Sequence, residues 1–387
     1  MKILKKIGLG FLVVLILANI AVVLSGNNHL YKGLADTYFQ GRTKPSIDDP
    51  DIFYARTLKS KSPRAWEESK SKNSVSLSDT VQRLNKRLET KALLIIHDNE
   101  IIHESYYDGY DKNKISNSFS MAKTILSIVT GIAIKEGKVS VEDRAVDYLP
   151  DFIQKKDSAL KVKHLLTMTS GMNFKESYGN PFGFMAKAYY GTDLKDLVKG
   201  YELNKEPGVE HKYLGGNNLL LSFLLEKAIG EKVGDYASRN LWEKLGMEND
   251  AKWVLDDEGG DEKTFTGVFA TARDFAKIGR LFMNTGFENG EQIVDSTYVR
   301  ESLTPIDVLD SDGKLAGYYG YSWWFASYKG EQVFYMRGIL GQYVICVPGK
   351  NLIITRLGQF RENTKLKDGA TPDDIWVYLE EGFRLIE

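Results

Sequence analysis

Ser120-Met121-Ala122-Lys123 stands between a polar turn, Lys112-Asn113-Lys114-Ile115-Ser116-Asn117, and an apolar run from Thr124 to Ile134. The run is apolar enough to form a buried helix. A serine that opens such a helix places its hydroxyl at the positive end of the helix dipole. Lys123, three residues on, shares a helical face with Ser120 and is within reach of that hydroxyl. A lysine so placed can take the hydroxyl proton, giving an activated nucleophile that needs no histidine. By itself the segment favours a plain helix-capping serine. Ser-x-x-Lys also occurs at Ser69/Lys72, Ser158/Lys161 and Ser311/Lys314. Ser69 lies in a Lys/Ser-rich polar run, Ser311 in the turn Asp310-Ser311-Asp312-Gly313-Lys314, and Ser158 reads as the N-cap of the following helix. Only Ser120 begins a long apolar helix.

The chain has 387 residues, enough for one large or two ordinary domains, with 43% hydrophobic and 27% charged residues. A net charge of −1 leaves no basic excess to neutralise phosphates, which argues against a nucleic-acid partner. The single cysteine, Cys346, excludes an internal disulfide and lies in the apolar run Tyr343–Val347, as a small core residue would. No Gly-x-Ser-x-Gly elbow, His-Glu-x-x-His pair or phosphate-cradling glycine loop occurs. His164 belongs to a Leu-Leu-Thr-Met helix, while His97, His103 and His211 read as strand or loop residues. Neither a metal nor a cofactor is expected.

Lys2, Lys5 and Lys6 precede an apolar stretch from Ile7 to Leu24 whose only strongly polar side chain is Asn19. That length is near the minimum for a membrane span and long for the core of a signal peptide. The preceding lysines favour a cytoplasmic N-terminus and an exported body. Residues 1–25 are therefore expected to be a membrane anchor or, if cleaved near Ser25-Gly26, a signal. Residues 26–90 are poorly periodic and read as linker and covering segment, with Tyr38, Phe39, Phe53, Tyr54 and Trp66 suggesting that part of it packs on the main domain.

The compact region is expected to run from 91 to 387. Ala92–His97 and Ile101–Tyr107 around Asp98-Asn99-Glu100 predict a β-hairpin. Helices follow over Lys163–Thr169, over Leu219–Ile229 with Asn218 as N-cap, and from Thr271 to Asn284. Strands are expected at Tyr321–Phe325, Val333–Arg337, Gln342–Val347 and Leu352–Arg356, then a last helix to Ile386 capped by Thr371-Pro372. The fold class is α+β, an antiparallel sheet flanked by helices and interrupted by a mostly helical insertion at roughly 113–285.

Several stretches together resemble the serine β-lactamase-like hydrolases, a group of class C β-lactamases, D-alanyl-D-alanine carboxypeptidases, related esterases and 6-aminohexanoate-dimer hydrolases. They are Ser118–Lys123, His164–Met172, Glu206-Pro207-Gly208, Gly267–Asp274, Tyr319–Trp324, and Gly341-Gln342 before Val347-Pro348. Each is weak alone, and their shared order is specific. The resemblance implies a β-lactamase/transpeptidase-like fold with Ser120 as nucleophile and Lys123 as base. It also implies that Tyr213, in Tyr213-Leu214-Gly215, relays a proton to the leaving group; a core aromatic is the alternative. Gly215 stands where the family has Asn, and Asn217 or Asn218 is a possible substitute.

The family's Lys-Thr-Gly motif aligns with Met336-Arg337-Gly338. Gly338 would let substrate lie along the strand edge, and the Ile339 and Ser120 N–H groups would be the oxyanion donors. The side chains that hold a penicillin-type carboxylate are gone; Arg337 either binds a carboxylate instead or forms a surface ion pair. The expectation is an exported serine hydrolase of the bacterial cell envelope, acting on a small-molecule or peptide ester or amide through an acyl-enzyme. A β-lactamase or carboxypeptidase, or a catalytically silent relative that binds cell-wall peptide or a protein partner, is the alternative.

Overall fold

The computed structural model describes residues 2–153, 159–199 and 201–387. At its centre is a seven-stranded sheet. Its strand order is Trp324–Tyr328, Glu331–Gly338, Gln342–Val347, Leu352–Gly358, Thr90–His97, Glu100–Tyr106 and Glu67–Glu68. All neighbours are antiparallel except the last pair. Leu352–Gly358 lies beside Thr90–His97, so strands distant in sequence form the middle of the sheet. Side chains alternate between two cores, as a strand requires. Leu93, Ile95, Tyr343 and Ile345 face the C-terminal helix Asp373–Ile386 with Val81 and Leu84 of the Asp79–Arg87 helix. Leu94, Ile96, Val344 and Cys346 face the Met121–Lys135 and Ala272–Met283 helices. Cys346 is a buried free thiol, and burial pushes its pKa up.

The stretch 113–285, expected as helical insertion, carries the helices Met121–Lys135, Phe184–Tyr190 and Gly215–Ile229. It also supplies three strands of a second, four-stranded sheet ordered Ala55–Leu58, Ala251–Val254, Val268–Ala270, Ser116–Asn117. Its last helix, Ala272–Met283, lies on the seven-stranded sheet and is capped by the Thr271 hydroxyl, which accepts from Asp274 N–H. Residues 26–90 contribute a strand to each of these two sheets and two α-helices, His29–Asp36 and Asp79–Arg87. Phe53 and Trp66 are buried there, whereas Tyr38, Phe39 and Tyr54 are exposed.

Several element boundaries differ from expectation. The helix expected at Lys163–Thr169 runs over Val162–Leu166 instead, ending before Met168, which takes a left-handed φ of 59°. The strand expected at Tyr321–Phe325 starts at Trp324: Ser322 has φ 62° and its N–H turns to Leu166 O at 3.1 Å. The last helix begins at Asp373 behind Pro372, while the Thr371 hydroxyl pairs with Tyr335 Oη at 3.1 Å rather than capping it. Asn218 is not an N-cap but an interior residue of Gly215–Ile229. Ser158 lies outside the described residues. The anchor region forms a helix, Lys2–Leu24, whose Ile3–Leu24 portion is long and apolar enough to cross a membrane, as a signal or an anchor would be.

Arg356, fully buried in the middle of the sheet, fixes the edge nearest the pocket. Its guanidinium donates to Leu340 O at 3.1 Å, Gly341 O at 2.8 Å, Phe360 O at 2.8 Å and Leu88 O at 2.9 Å, and also to the Thr90 hydroxyl. A lysine has three donors on one atom and cannot reproduce this fork. Arg356→Lys is expected to lower the unfolding free energy by about 3 kcal/mol, since buried carbonyls lose their partners. Urea unfolding monitored by circular dichroism measures it.

Candidate active site

The turn before Ser120 is pinned to the small sheet. Ser118 N–H donates to Val268 O at 2.8 Å, and Val268 N–H returns a bond to Ser118 Oγ at 3.2 Å. Phe119, buried, sits at φ 44°, a left-handed conformation that costs a bulky residue roughly 1–3 kcal/mol. The turn therefore delivers Ser120 to the N-terminus of Met121–Lys135 in a fixed orientation. Ser120 occupies the N-cap position but caps nothing: its side chain accepts from no backbone N–H of the helix. Instead Lys123 Nζ lies 3.2 Å from Ser120 Oγ.

Lys123 is 2% exposed. Its second hydrogen bond is to Phe265 O at 2.6 Å, and its Nζ lies 5.1 Å from the centre of the Tyr213 ring. No ion pair among the described residues joins it to a carboxylate. The other described Ser-x-x-Lys lysines differ: Lys72 pairs with Glu68 and Glu104, Lys161 with Glu142, and Lys314 lies in an exposed turn. A buried amine held against a hydroxyl that caps nothing is the arrangement a proton-accepting lysine needs.

A pocket of about 300 Å³ brings together Ser120, Tyr213, Arg337, Gly338 and Ile339, joined by Tyr178 and Arg361. Tyr213 precedes the Gly215–Ile229 helix, its ring against Tyr319 and Trp324 at centroid distances of 5.9 and 5.4 Å. A methyl group at Gly338 would collide with Ser118 O, so only glycine lets this strand end run against the serine turn. Arg337 forms no ion pair among the described residues. Its guanidinium stacks on Trp324 at 3.4 Å from the ring centre and donates to Ala370 O at 3.0 Å. Arg337 and Arg361 both line the pocket and make this wall of it positive; Lys365 is pulled below its usual range, first by burial and then by these two cations.

Gly215 and Gly216 open the helix after Tyr213, and their N–H groups donate to the two oxygens of Glu176, each at 2.8 Å. A side chain at Gly216 would enter the Phe174 ring. Burial raises the Glu176 carboxyl above the ordinary range, against the pull of those two amides, Lys123 and Lys212. Asn217 and Asn218 do not replace the missing asparagine. Both are fully buried, and Asn217 Oδ1 accepts from Ser170 Oγ at 2.6 Å. Glu176, Arg361 and the Phe265 carbonyl were not foreseen; each lies in irregular chain with no periodic signal.

The family model described as Beta-lactamase matches residues 77–372. This chain belongs to the beta-lactamase family. It is a serine hydrolase related to amidases and carboxypeptidases. A 6-aminohexanoate-dimer hydrolase of Paenarthrobacter ureafaciens is 25% identical over 300 residues, covering 73% of this chain and 76% of the relative. An N-acetylmuramyl-L-alanine amidase of Bacillus subtilis is 21% identical over 335 residues, covering 68% and 76%. The solved structure of a "Putative 6-aminohexanoate-dimer hydrolase" from Bacillus anthracis superposes with a TM-score of 0.73 at 20% identity, covering 86% of this chain and 90% of that one. At that identity the likeness speaks for the fold.

Two measurements test the framework around Tyr213. Glu176→Ala leaves the Gly215 and Gly216 amides without their acceptor, an expected cost of about 1–2 kcal/mol in thermal unfolding. His211, two residues before Tyr213, is buried, and burial lowers its pKa to about 4, with Asp310 opposing. The folded state thus refuses a proton that the unfolded chain takes near pH 6.5, so stability is lost as pH falls from there toward 4. Urea unfolding at pH 7, 5.5 and 4 is expected to show this acid loss reduced in His211→Gln, by as much as about 3 kcal/mol at pH 4.

Proposed function

We propose that this enzyme cleaves an ester or amide bond by acyl transfer to Ser120. The observation that carries the reading is the Ser120 hydroxyl, which declines its helix-capping role and lies 3.2 Å from a buried lysine. Lys123 takes the serine proton as Oγ attacks the carbonyl carbon. The Ser120 and Ile339 N–H groups stabilise the oxyanion. Tyr213, beside the Lys123 amine, passes the proton to the departing alcohol or amine. Water then enters, Lys123 again accepts a proton, and the acid is released with Ser120 restored.

Tyr213 borders the same pocket as Arg337 and Arg361, so the leaving group lies on the positive side. Neither Arg361 nor Arg337 has a carboxylate partner among the described residues; Arg337 donates to Ala370 O and hydrogen-bonds the Tyr335 side chain. Both guanidinium groups are available for an anion on the leaving group. This charge favours a carboxylate-bearing leaving group and keeps a β-lactam or D-alanyl peptide as the second reading. The apolar N-terminal helix supports a body outside the cytoplasm, in the cell envelope.

A fluorophosphonate probe is expected to label the wild type and not Ser120→Ala, as read by intact mass. Lys123→Met and Tyr213→Phe are expected to lower kcat on an activated ester by about 10²–10⁴-fold. Wild type that resists the probe would refute the acyl-enzyme, and stable labelling by a fluorescent penicillin would favour the second reading.

A further inference from the structure

A second cavity of about 410 Å³ opens on the other side of Ser120, within the roughly 300–1,000 Å³ of small-molecule sites. Ser120, Tyr178 and Ile339 border both spaces, but Tyr213, Arg337 and Arg361 border only the positive one. Leu30, Leu34, Met185, Ala186, Tyr189 and Tyr190 make its far wall, and among the described residues no lysine, arginine or carboxylate lines it.

Leu30 and Leu34 of that wall come from the His29–Asp36 helix, which begins five residues after Leu24, the end of the apolar span. Five residues reach at most about 18 Å. The helix is held firmly. His29 Nε2 is 2.8 Å from Pro181 O, and Gly33 runs so close to Tyr190 that a Cβ would touch its ring at 3.3 Å. The facing helix, Phe184–Tyr190, is tied in turn by the buried Lys263, whose Nζ donates to Ala188 O, Tyr189 O and Gly191 O at 2.8–2.9 Å.

The mouth is rimmed by exposed aromatic rings. Tyr38 and Tyr178 line the cavity yet are 63% and 68% exposed, and the neighbouring Phe39 and Phe182 are 79% and 56% exposed. Rings left in solvent beside a span are what a membrane interface would cover.

We propose that this cavity takes the acyl chain of a long-chain ester or amide drawn from the bilayer, with the aromatic rim resting on the membrane interface. The inference rests on the acyl-transfer reading of Ser120. Because Tyr213 borders the positive pocket, the leaving group departs there and the acyl chain is left on the apolar side. In the ester case the Ser120 Oγ–acyl bond forms as the acyl–oxygen bond breaks, and the proton goes to the leaving alcohol. Water then splits the acyl-enzyme to a fatty acid.

The full chain in phosphatidylcholine nanodiscs provides the test. From p-nitrophenyl acetate to octanoate, kcat/KM is expected to rise at least tenfold. Ala186→Trp and, separately, Leu34→Asp are expected to cut that octanoate-to-acetate ratio at least fivefold. Phe39→Ser/Phe182→Ser is expected to slow hydrolysis of bilayer-borne monooleoylglycerol at least fivefold more than that of p-nitrophenyl octanoate. A flat chain-length profile, a ratio indifferent to both cavity variants, or equal slowing of the two substrates would overturn the inference. Fluorophosphonate labelling of Ser120 in the same sample separates the two levels: a labelled enzyme with a flat profile sinks the acyl-chain site alone, whereas an unlabelled one sinks the acyl-enzyme itself.

Discussion

The buried guanidinium of Arg356 is the point at which three distant parts of the chain are fastened. One side chain satisfies Leu88 O before the first long strand, Leu340 O and Gly341 O in the turn after Ile339, and Phe360 O beside Arg361. A buried carbonyl without a partner costs free energy, so each of these segments is held where the guanidinium can reach it. The pocket inherits the result. Ile339 and Arg361, which border it, are respectively one residue before and one residue after carbonyls that Arg356 holds. The groups that accept directly from Arg356 are neutral carbonyls and the Thr90 hydroxyl, while Asp374 is pushed up to about 6 by burial, with Arg356 pulling the other way.

Against that rigid edge the serine turn is set with some strain. Gly338 removes the side chain that would collide with Ser118 O, and Phe119 accepts a left-handed backbone. Together they bring Ser120 to the pocket with its hydroxyl turned to Lys123 and not to the helix amides. The hydrogen bond that a capping serine would make is forgone, and the neighbouring sheet bonds of Ser118 hold the conformation.

Strong local periodicity was legible in the chain. The hairpin at 90–106, the helix behind Ser120, the Thr271-capped helix and the strands at Gln342–Val347 and Leu352–Gly358 follow from alternation, apolar runs and caps. Errors fell where a tertiary partner replaced a local one. Glu176, 39 residues from Gly215, does the capping that Asn218 was expected to do. The Ser322 amide turns to Leu166 O and delays a strand by three residues. Residues 26–90 have little period of their own because their elements complete sheets and walls built by other segments.

The sequence by itself determined the family, the α+β class, the apolar N-terminal segment and the pairing of Ser120 with Lys123, because these rest on spacing within a few residues or on an ordered set of short motifs. Only the tertiary structure decided that Arg337 stacks on Trp324 with Arg361 beside it, and that Lys123 is buried with no ion pair to a carboxylate among the described residues. It alone set residues 29–38 as a wall of a cavity at Ser120. Those facts depend on side chains that meet from different segments of the chain, from 13 residues apart for Arg337 and Trp324 to 142 for Lys123 and Phe265, and no local pattern encodes such a meeting.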